Sequence, residues 1–459
     1  MLFSSVEFIF GFMPIVLAVY FMLAQRQTPA VRIWLLLASL FFYGWWNPKN
    51  VFLIVGSMLF NFAFGKLIGR SRSKWALTFG IAANLAVLFY YKYVDFFLTN
   101  VNAALGTQVS LLHVVLPLGI SFFTFQQIAF LVDSYEGKVD HYKFLDYGLF
   151  VSFFPQLVAG PIVHHAELMP QFEDPRNSVL NFANLSKGIF VFNCGLAKKI
   201  VIADTFSVIV NNGYGHTGML SETAAWITSL AYSIQLYFDF SGYSDMAIGL
   251  GLMFNINIPL NFNSPYRARN IQDFWRRWHI TLSRFLRDYL YIPLGGNRGS
   301  EFATSRNLLI TFLLGGIWHG AGWTFILWGL LHGVALVFYR YFGRLKFSLP
   351  VWLSVTVTFL FVNLAWVFFR APSWGAAMDM VHAMLGMQEG AADFSLISDY
   401  YSFPVWIAAV ILLFSKNTNE LAVEFTFNRR FVWKLIALIL VNMLFLNSTS
   451  NQEFLYFDF

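Results

Sequence analysis

Charge is scarce in this chain of 459 residues: only 12% are Asp, Glu, Lys or Arg, roughly half the usual share of a soluble domain. A soluble fold could not hide the apolar surface that goes with it, since 58% of the residues are hydrophobic and the mean hydropathy is +0.59. Cysteine is nearly absent. The single Cys194 excludes an internal disulfide and any Cys-x-x-Cys metal or redox site, and reads as a small core residue. No polar stretch is long enough for a separate soluble domain or an extended linker. The nine histidines never fall at H-x-x-x-H spacing, so no metal is expected.

Long apolar runs fill the chain instead. Phe8 to Leu23, Val51 to Leu67, Trp75 to Phe89, Leu353 to Phe369 and Val432 to Leu446 are nearly uncharged and bounded by Arg, Lys, Asn or Pro. That is the pattern of bilayer-spanning helices of about 20 residues. About 11 to 13 such segments predict an all-α polytopic integral membrane protein. The first run lacks a basic leader and an A-x-A-type cleavage site, and so reads as a retained span. Lys and Arg gather in cytoplasmic loops. Arg26 and Arg32 mark the first loop as inside, and Lys66, Arg70, Arg72 and Lys74 the third, whereas the second holds only Lys49. Arg340, Arg344 and Lys346, then Arg429, Arg430 and Lys434, mark later inside loops. Ser373 to Phe403 carries Asp379, Glu389, Asp393 and Asp399 with no Lys or Arg, and Glu453 and Asp458 close the chain. Both termini are therefore expected outside, with an even number of spans. The net charge of +6 follows from such loops and anionic headgroups, and calls for no nucleic acid.

From Asn261 to Arg298 the text NFNSPYRARNIQDFWRRWHITLSRFLRDYLYIPLGGNR packs seven arginines among aromatic residues. Wound as one helix over 271–292, Trp275, Trp278, Leu282, Phe285, Leu286 and Tyr289 share an arc. Arg276, Arg277, Arg284 and Arg287 fall opposite with Asp273 and Asp288, as in an amphipathic helix at the membrane interface. His279 sits at the edge of the apolar arc and is expected to point inward. The arginines have two readings. One is positive-inside anchoring to acidic headgroups. The other is a cytoplasmic mouth for a polyanionic donor such as coenzyme A, whose phosphates suit the planar, bidentate guanidinium; Trp275 and Trp318 then join Arg276, Arg277, Arg284 and Arg287 as donor-binding residues.

His319 stands in LLGGIWHGAGWTFILWGLLHG, Leu313 to Gly333. An ionisable group at membrane depth is costly and marks a functional candidate. Gly315, Gly316, Gly320 and Gly322 around it either open a narrow approach to the imidazole or let helices pack closely. Neutral imidazole is the usual base for passing an acyl group from a thioester to an alcohol. His319 as base, with His279 orienting it or polarising the thioester carbonyl, is thus a candidate catalytic pair, and an acetyl-imidazole relay is its covalent variant. His332 reads as packing. His164 and His165, being adjacent, are expected to point apart in a loop after Gly160-Pro161. Asp239 and Asp245 flank an expected break at Ser241-Gly242, where they line a cavity or cap interrupted helices. Gln126 and Gln127 follow Pro117 and Gly119 in an expected broken helix, satisfying freed backbone groups. The 54 Phe and 15 Trp are expected mainly on lipid-facing surface and in the interface belt.

Ser264 to Arg298 and GGIWHGAGWTFILWG (Gly315 to Gly329) together resemble the membrane-bound O-acyltransferases. The wording is similar above all to the membrane subunits of bacterial alginate and cellulose O-acetyltransferases. MLFSSVEFIF, PLGISFFTFQ (Pro117 to Gln126), FPQLVAGPI (Phe154 to Ile162) and QLYFDFSGYSDMAIGLGLM (Gln235 to Met253) extend the resemblance, in order, to about Arg370. It implies helices around a central funnel with interfacial and re-entrant helices at its base. The N-terminal spans would occupy 1–110, the catalytic core 111–345 with its interfacial helix near 271–292, and the C-terminal spans 346–459. The family's invariant histidine falls on His319 and its upstream polar position on His279. The resemblance further implies acetyl-CoA as cytoplasmic donor, a bacterial inner-membrane location, and a periplasmic partner that accepts acetyl on a serine and hands it to an exopolysaccharide. Two alternatives stand beside it. D-alanyl transfer to teichoic acid would replace the nucleotide pocket with a carrier-protein docking surface. A lipid or glycan transporter would show two inverted halves with matching broken helices, and no such repeat is visible.

Overall fold

A computed structural model describes residues 1–24, 29–139, 142–343, 349–388, 390, 403–446 and 454–455. The orientation residues Arg26, Arg344, Lys346, Glu389, Asp393, Asp399, Glu453 and Asp458 lie outside the described residues. The described chain is built from helices, with no β-sheet among them. Among the described residues, five helices are long and apolar enough to cross a membrane: α1 (Glu7–Ala24), α3 (Lys49–Ser71), α4 (Lys74–Leu105), α13 (Trp323–Phe342) and α14 (Val351–Arg370). Two shorter apolar helices, α2 (Ala30–Gly44) and α16 (Phe403–Phe414), accompany them. The remaining helices used below are α5 (Ile120–Glu136), α6 (Phe144–Ser152), α7 (His165–Glu173), α8 (Phe182–Ala197), α9 (Glu222–Met253), α10 (Ile271–Arg277), α11 (Ile280–Leu286), α12 (Glu301–His319) and α15 (Trp374–Met384). Several of these carry polar residues that they bury within the protein, which lowers their apolar count below that of a lipid-exposed span.

The chain divides into two compact units. The first takes residues 1–193, 243–259 and 427–432. Its helices expose large apolar side chains such as Phe52, Trp75 and Phe79, and join through polar groups on their inner faces. Asn61 of α3 and Asn84 of α4 exchange amide hydrogen bonds at 3.0 and 2.7 Å, the kind of interhelical contact that replaces the hydrophobic driving force lipid cannot supply. Arg32, expected as a loop anchor, lies on α2 and pairs with buried Asp146 of α6 at 2.5 Å. α5 begins directly after Gly119, whose φ of +70° favours glycine. Gln127 does not serve freed backbone groups: its Oε1 accepts from the Tyr147 hydroxyl and its Nε2 donates to Ser57 Oγ, each at 3.0 Å. His164 and His165 do not point apart. His164 is still extended (φ −81°, ψ 146°) while His165 opens α7, so the chain bends between them and both rings turn to Asp133.

The second unit takes residues 194–242, 260–426 and 433–459. α9 runs unbroken past Ser241-Gly242, so neither Asp239 nor Asp245 caps an interrupted helix. Asp239 instead holds Lys199 at 2.6 Å, and Lys199 also reaches Asp204 at 2.8 Å, a buried triad beside the π-turn Lys198–Ala203. Gly242 lets its helix approach Gly195 O, which a Cβ would meet at 2.8 Å. Asn363 of α14 ties onto α9 by accepting from Ser229 Oγ at 3.0 Å and donating to Ser229 O at 3.0 Å and Ser233 Oγ at 2.8 Å. Cys194 is half-buried and in thiol form.

Candidate active site

The segment expected to be one helix over 271–292 is two. α10 ends at Arg277, and α11 begins at Ile280 with His279 as its N-cap at φ 43°, ψ 54°. A left-handed conformation is uncommon for a residue with a Cβ and is a mark of functional sites. The apolar residues Trp275, Trp278, Leu282, Phe285 and Leu286 are buried as expected, and Arg276 and Arg287 are exposed. The break turns the His279 ring fully inside.

His279 Nδ1 lies 3.0 Å from Asn261 Oδ1. That oxygen also accepts from the Thr281 backbone N–H at 3.3 Å and the Thr281 hydroxyl at 2.9 Å. A backbone N–H can only donate, so the amide is oriented with its oxygen toward the three groups and Nδ1 of His279 is the protonated nitrogen. In the neutral ring Nε2 is then the basic atom. A neutral His279 therefore accepts at Nε2 and does not polarise a carbonyl from that atom.

His319 is the last residue of α12, 3% exposed, and its ring centroid lies 6.5 Å from that of His279. Trp318, Trp328 and Phe369 surround the His319 ring at 4.9, 5.0 and 5.2 Å. Phe240 stands edge-on to His279 at 4.8 Å. Behind them Trp366 stacks on Trp328 at 5.6 Å, and Trp275 Nε1 donates to His332 Nδ1 at 3.2 Å. Trp275 thus belongs to the wall behind the pair, while Trp318 packs against both histidines, its ring centroid 6.3 Å from that of His279. Trp278, Trp328 and Trp366 are among the largest fully buried side chains, while Trp45, Trp46, Trp75, Trp323, Trp352, Trp374 and Trp433 are exposed, as expected of lipid surface and interface.

The glycines near His319 divide by role. A Cβ on Gly316 would meet Phe325 O at 2.4 Å, and one on Gly329 would meet Phe312 O at 2.4 Å, so this pair lets α12 and α13 touch backbone to backbone. The space at Gly320 is filled by the Phe325 ring, which a Cβ would meet at 2.2 Å, and Gly315 faces Leu286. Close packing, and not an open approach to the imidazole, accounts for Gly315, Gly316 and Gly320; at Gly322 a Cβ would make ordinary contact.

Among the arginines, Arg277 pairs with Asp273 at 2.8 Å and Arg287 with Asp288 at 2.7 Å, while Arg284 is half-buried. Arg287 and Arg298 line a cleft of about 300 Å³ with Tyr291, Ile292, Gly295, Gly296 and Asn297. Gly295 and Gly296 turn at φ +112° and +56°, and Asn307 Nδ2 of α12 holds Gly296 O at 3.0 Å. From Asn307 to His319 the helix rises roughly 18 Å, at about 1.5 Å per residue. Asn261, Phe240, Trp328, Trp366, Phe369 and Arg298 are the site residues that sequence inspection did not single out.

The family model for the membrane-bound O-acyltransferases matches residues 74–371. A peptidoglycan O-acetyltransferase of Helicobacter pylori is 45% identical, over all of this chain and 98% of its own length. A probable alginate O-acetylase, AlgI, of Pseudomonas aeruginosa is 42% identical over 84% of this chain and 75% of its own. A teichoic acid D-alanyltransferase of Streptococcus thermophilus is 26% identical over 62% of this chain and 69% of its own.

Proposed function

The chain belongs to the membrane-bound O-acyltransferase family and is a multi-pass membrane O-acyltransferase, and on that premise we propose that it takes acetyl from cytoplasmic acetyl-CoA for O-acetylation of an exported polysaccharide. The observation that carries this reading is the buried pair His279 and His319, 6.5 Å apart by ring centroid, with one imidazole fixed in tautomer by Asn261. His319 removes the proton of the acceptor hydroxyl as its oxygen attacks the thioester carbonyl. The C–S bond breaks, and the leaving thiolate takes the proton from the imidazolium. His279, held with Nε2 as acceptor, positions the pair and steadies the positive charge that passes through it.

The Arg287–Arg298 cleft supports a donor with a phosphorylated head: guanidinium groups and a Gly-Gly turn offer donors to phosphate oxygens. Its distance from His319 along α12 is of the order of an extended phosphopantetheine arm. A carrier-protein thioester has the same arm, so D-alanyl transfer is the second reading; the acetyltransferase relatives, at higher identity and coverage than the D-alanyltransferase, favour acetyl. An inner-membrane location is what the family resemblance implies, and the loop charges favour both termini on the periplasmic side. A serine hydroxyl of a periplasmic partner is the acceptor this reading favours, because no separate soluble domain stands among the described helices. Radiolabelled acetyl-CoA, supplied to protein in vesicles with candidate partner and polymer, tests the route. Label on the partner before the polymer is expected. Label on the polymer without a partner would remove the relay, and label from a carrier protein alone would replace the donor.

A further inference from the structure

We propose that the first unit binds a divalent transition metal, zinc by its donor set, through Asp133, His164 and His165. The three residues come from the last turn of α5 and the entry to α7, and one ligand atom from each lies within 4.8 Å of the others. His164 Nδ1 and His165 Nδ1 approach the same carboxylate oxygen, Asp133 Oδ2, at 3.5 and 3.3 Å. These separations exceed the range of an N–H···O hydrogen bond, about 2.7–3.2 Å. They match the edge of a tetrahedron around zinc, roughly 3.3–3.4 Å for ligands at about 2.0–2.1 Å from the ion.

His165 supplies the independent sign. Its side chain is 8% exposed, and neither ring nitrogen makes a hydrogen bond. Burying a polar ring without a hydrogen-bond partner is unfavourable, so an imidazole with both nitrogens unsatisfied fits a ligand better than a packing residue. Lys138 does not compete for the position: it is 63% exposed and stands 4.0 Å from the other carboxylate oxygen, Oδ1. The two imidazoles, borderline nitrogen donors, beside one carboxylate suit zinc over calcium or magnesium. Three protein ligands leave a fourth position for water or for a group in the adjoining cleft of about 250 Å³, which His165 lines together with Asp146 and Glu173. The ion would clamp the end of α5 to the start of α7. Nothing in this proposal depends on the acyl-transfer reading.

The test is metal analysis of the full chain purified in detergent without a polyhistidine tag. Wild type is expected to carry about one zinc per chain, and Asp133→Asn and His165→Ala to lose it, while His382→Ala, on α15, keeps it. Wild type stripped with chelator and titrated with cobalt(II) should show ligand-field absorption of a nitrogen and oxygen site, and its thermal midpoint should rise with added zinc. The titration decides the matter even where the variants do not fold. Wild type with no metal above the blank, no cobalt spectrum and no thermal response overturns the proposal. Metal retained in both folded variants overturns it equally.

Discussion

His279 is a histidine in a conformation that histidine disfavours, and the surrounding bonds say why it is kept there. The left-handed backbone carries the ring across the gap between two short helices and onto Asn261, which sets the proton on Nδ1. Asn261→Ala removes the group that fixes that tautomer. It is expected to lower kcat on the order of 10- to 100-fold with little change in donor KM, and Asn261→Asp, which can accept the same bond, should recover part of the loss; initial rates over a range of donor concentration check both. The two histidines were legible in the sequence because ionisable side chains in apolar text are conspicuous. Asn261 was not, since an amide 18 positions upstream acquires meaning only when the chain folds back. Trp328, Trp366 and Phe369 were hidden for a different reason: in a chain with 54 Phe and 15 Trp, an aromatic that walls a site is written like one that faces lipid.

At the scale of helices, the apolar spacing from Trp275 to Tyr289 continues across the break, so the period alone predicts one helix where the backbone makes two. The unbroken course of α9 is hidden for the converse reason, because Ser241-Gly242 reads as an interruption yet serves close contact with Gly195. Contact of the same kind joins α12 to α13. Gly316→Ala places a Cβ 2.4 Å from Phe325 O, and is expected to destabilise the protein by about 1–3 kcal/mol. Gly322→Ala meets only ordinary contacts and should leave the thermal midpoint near wild type; unfolding in detergent compares them. The Lys199 triad makes a second prediction. Lys199→Met strands two buried carboxylates, Asp204 and Asp239, with a loss on the order of 3–5 kcal/mol. Adding Asp204→Asn and Asp239→Asn should restore much of the folded yield measured by size-exclusion chromatography.

For the molecule as a whole, the membrane-spanning helical class was plain from composition, since a helix satisfies its own polar backbone groups when apolar side chains carry it into lipid. The count of spans was less plain, because helices such as α9 and α12 carry buried polar groups that lower their apolar score. The arginine segment is open to a polyanion or to headgroups, and Arg287 and Arg298 line one cleft where the two readings can be told apart. Arg287→Ala and Arg298→Ala are expected to raise donor KM with kcat nearly unchanged, and wild-type donor KM should rise with ionic strength because exposed charges are screened; an unchanged KM in both variants would return the arginines to membrane anchoring. We propose His319 as the base of acyl transfer from a thioester, and single-turnover cleavage of acetyl-CoA by purified protein supplied with an acceptor hydroxyl, on candidate partner or polymer, measures it. Wild type should release free thiol, and His319→Ala, with the same elution profile and thermal midpoint, should release none above background. Equal release by folded wild type and folded His319→Ala would contradict the account.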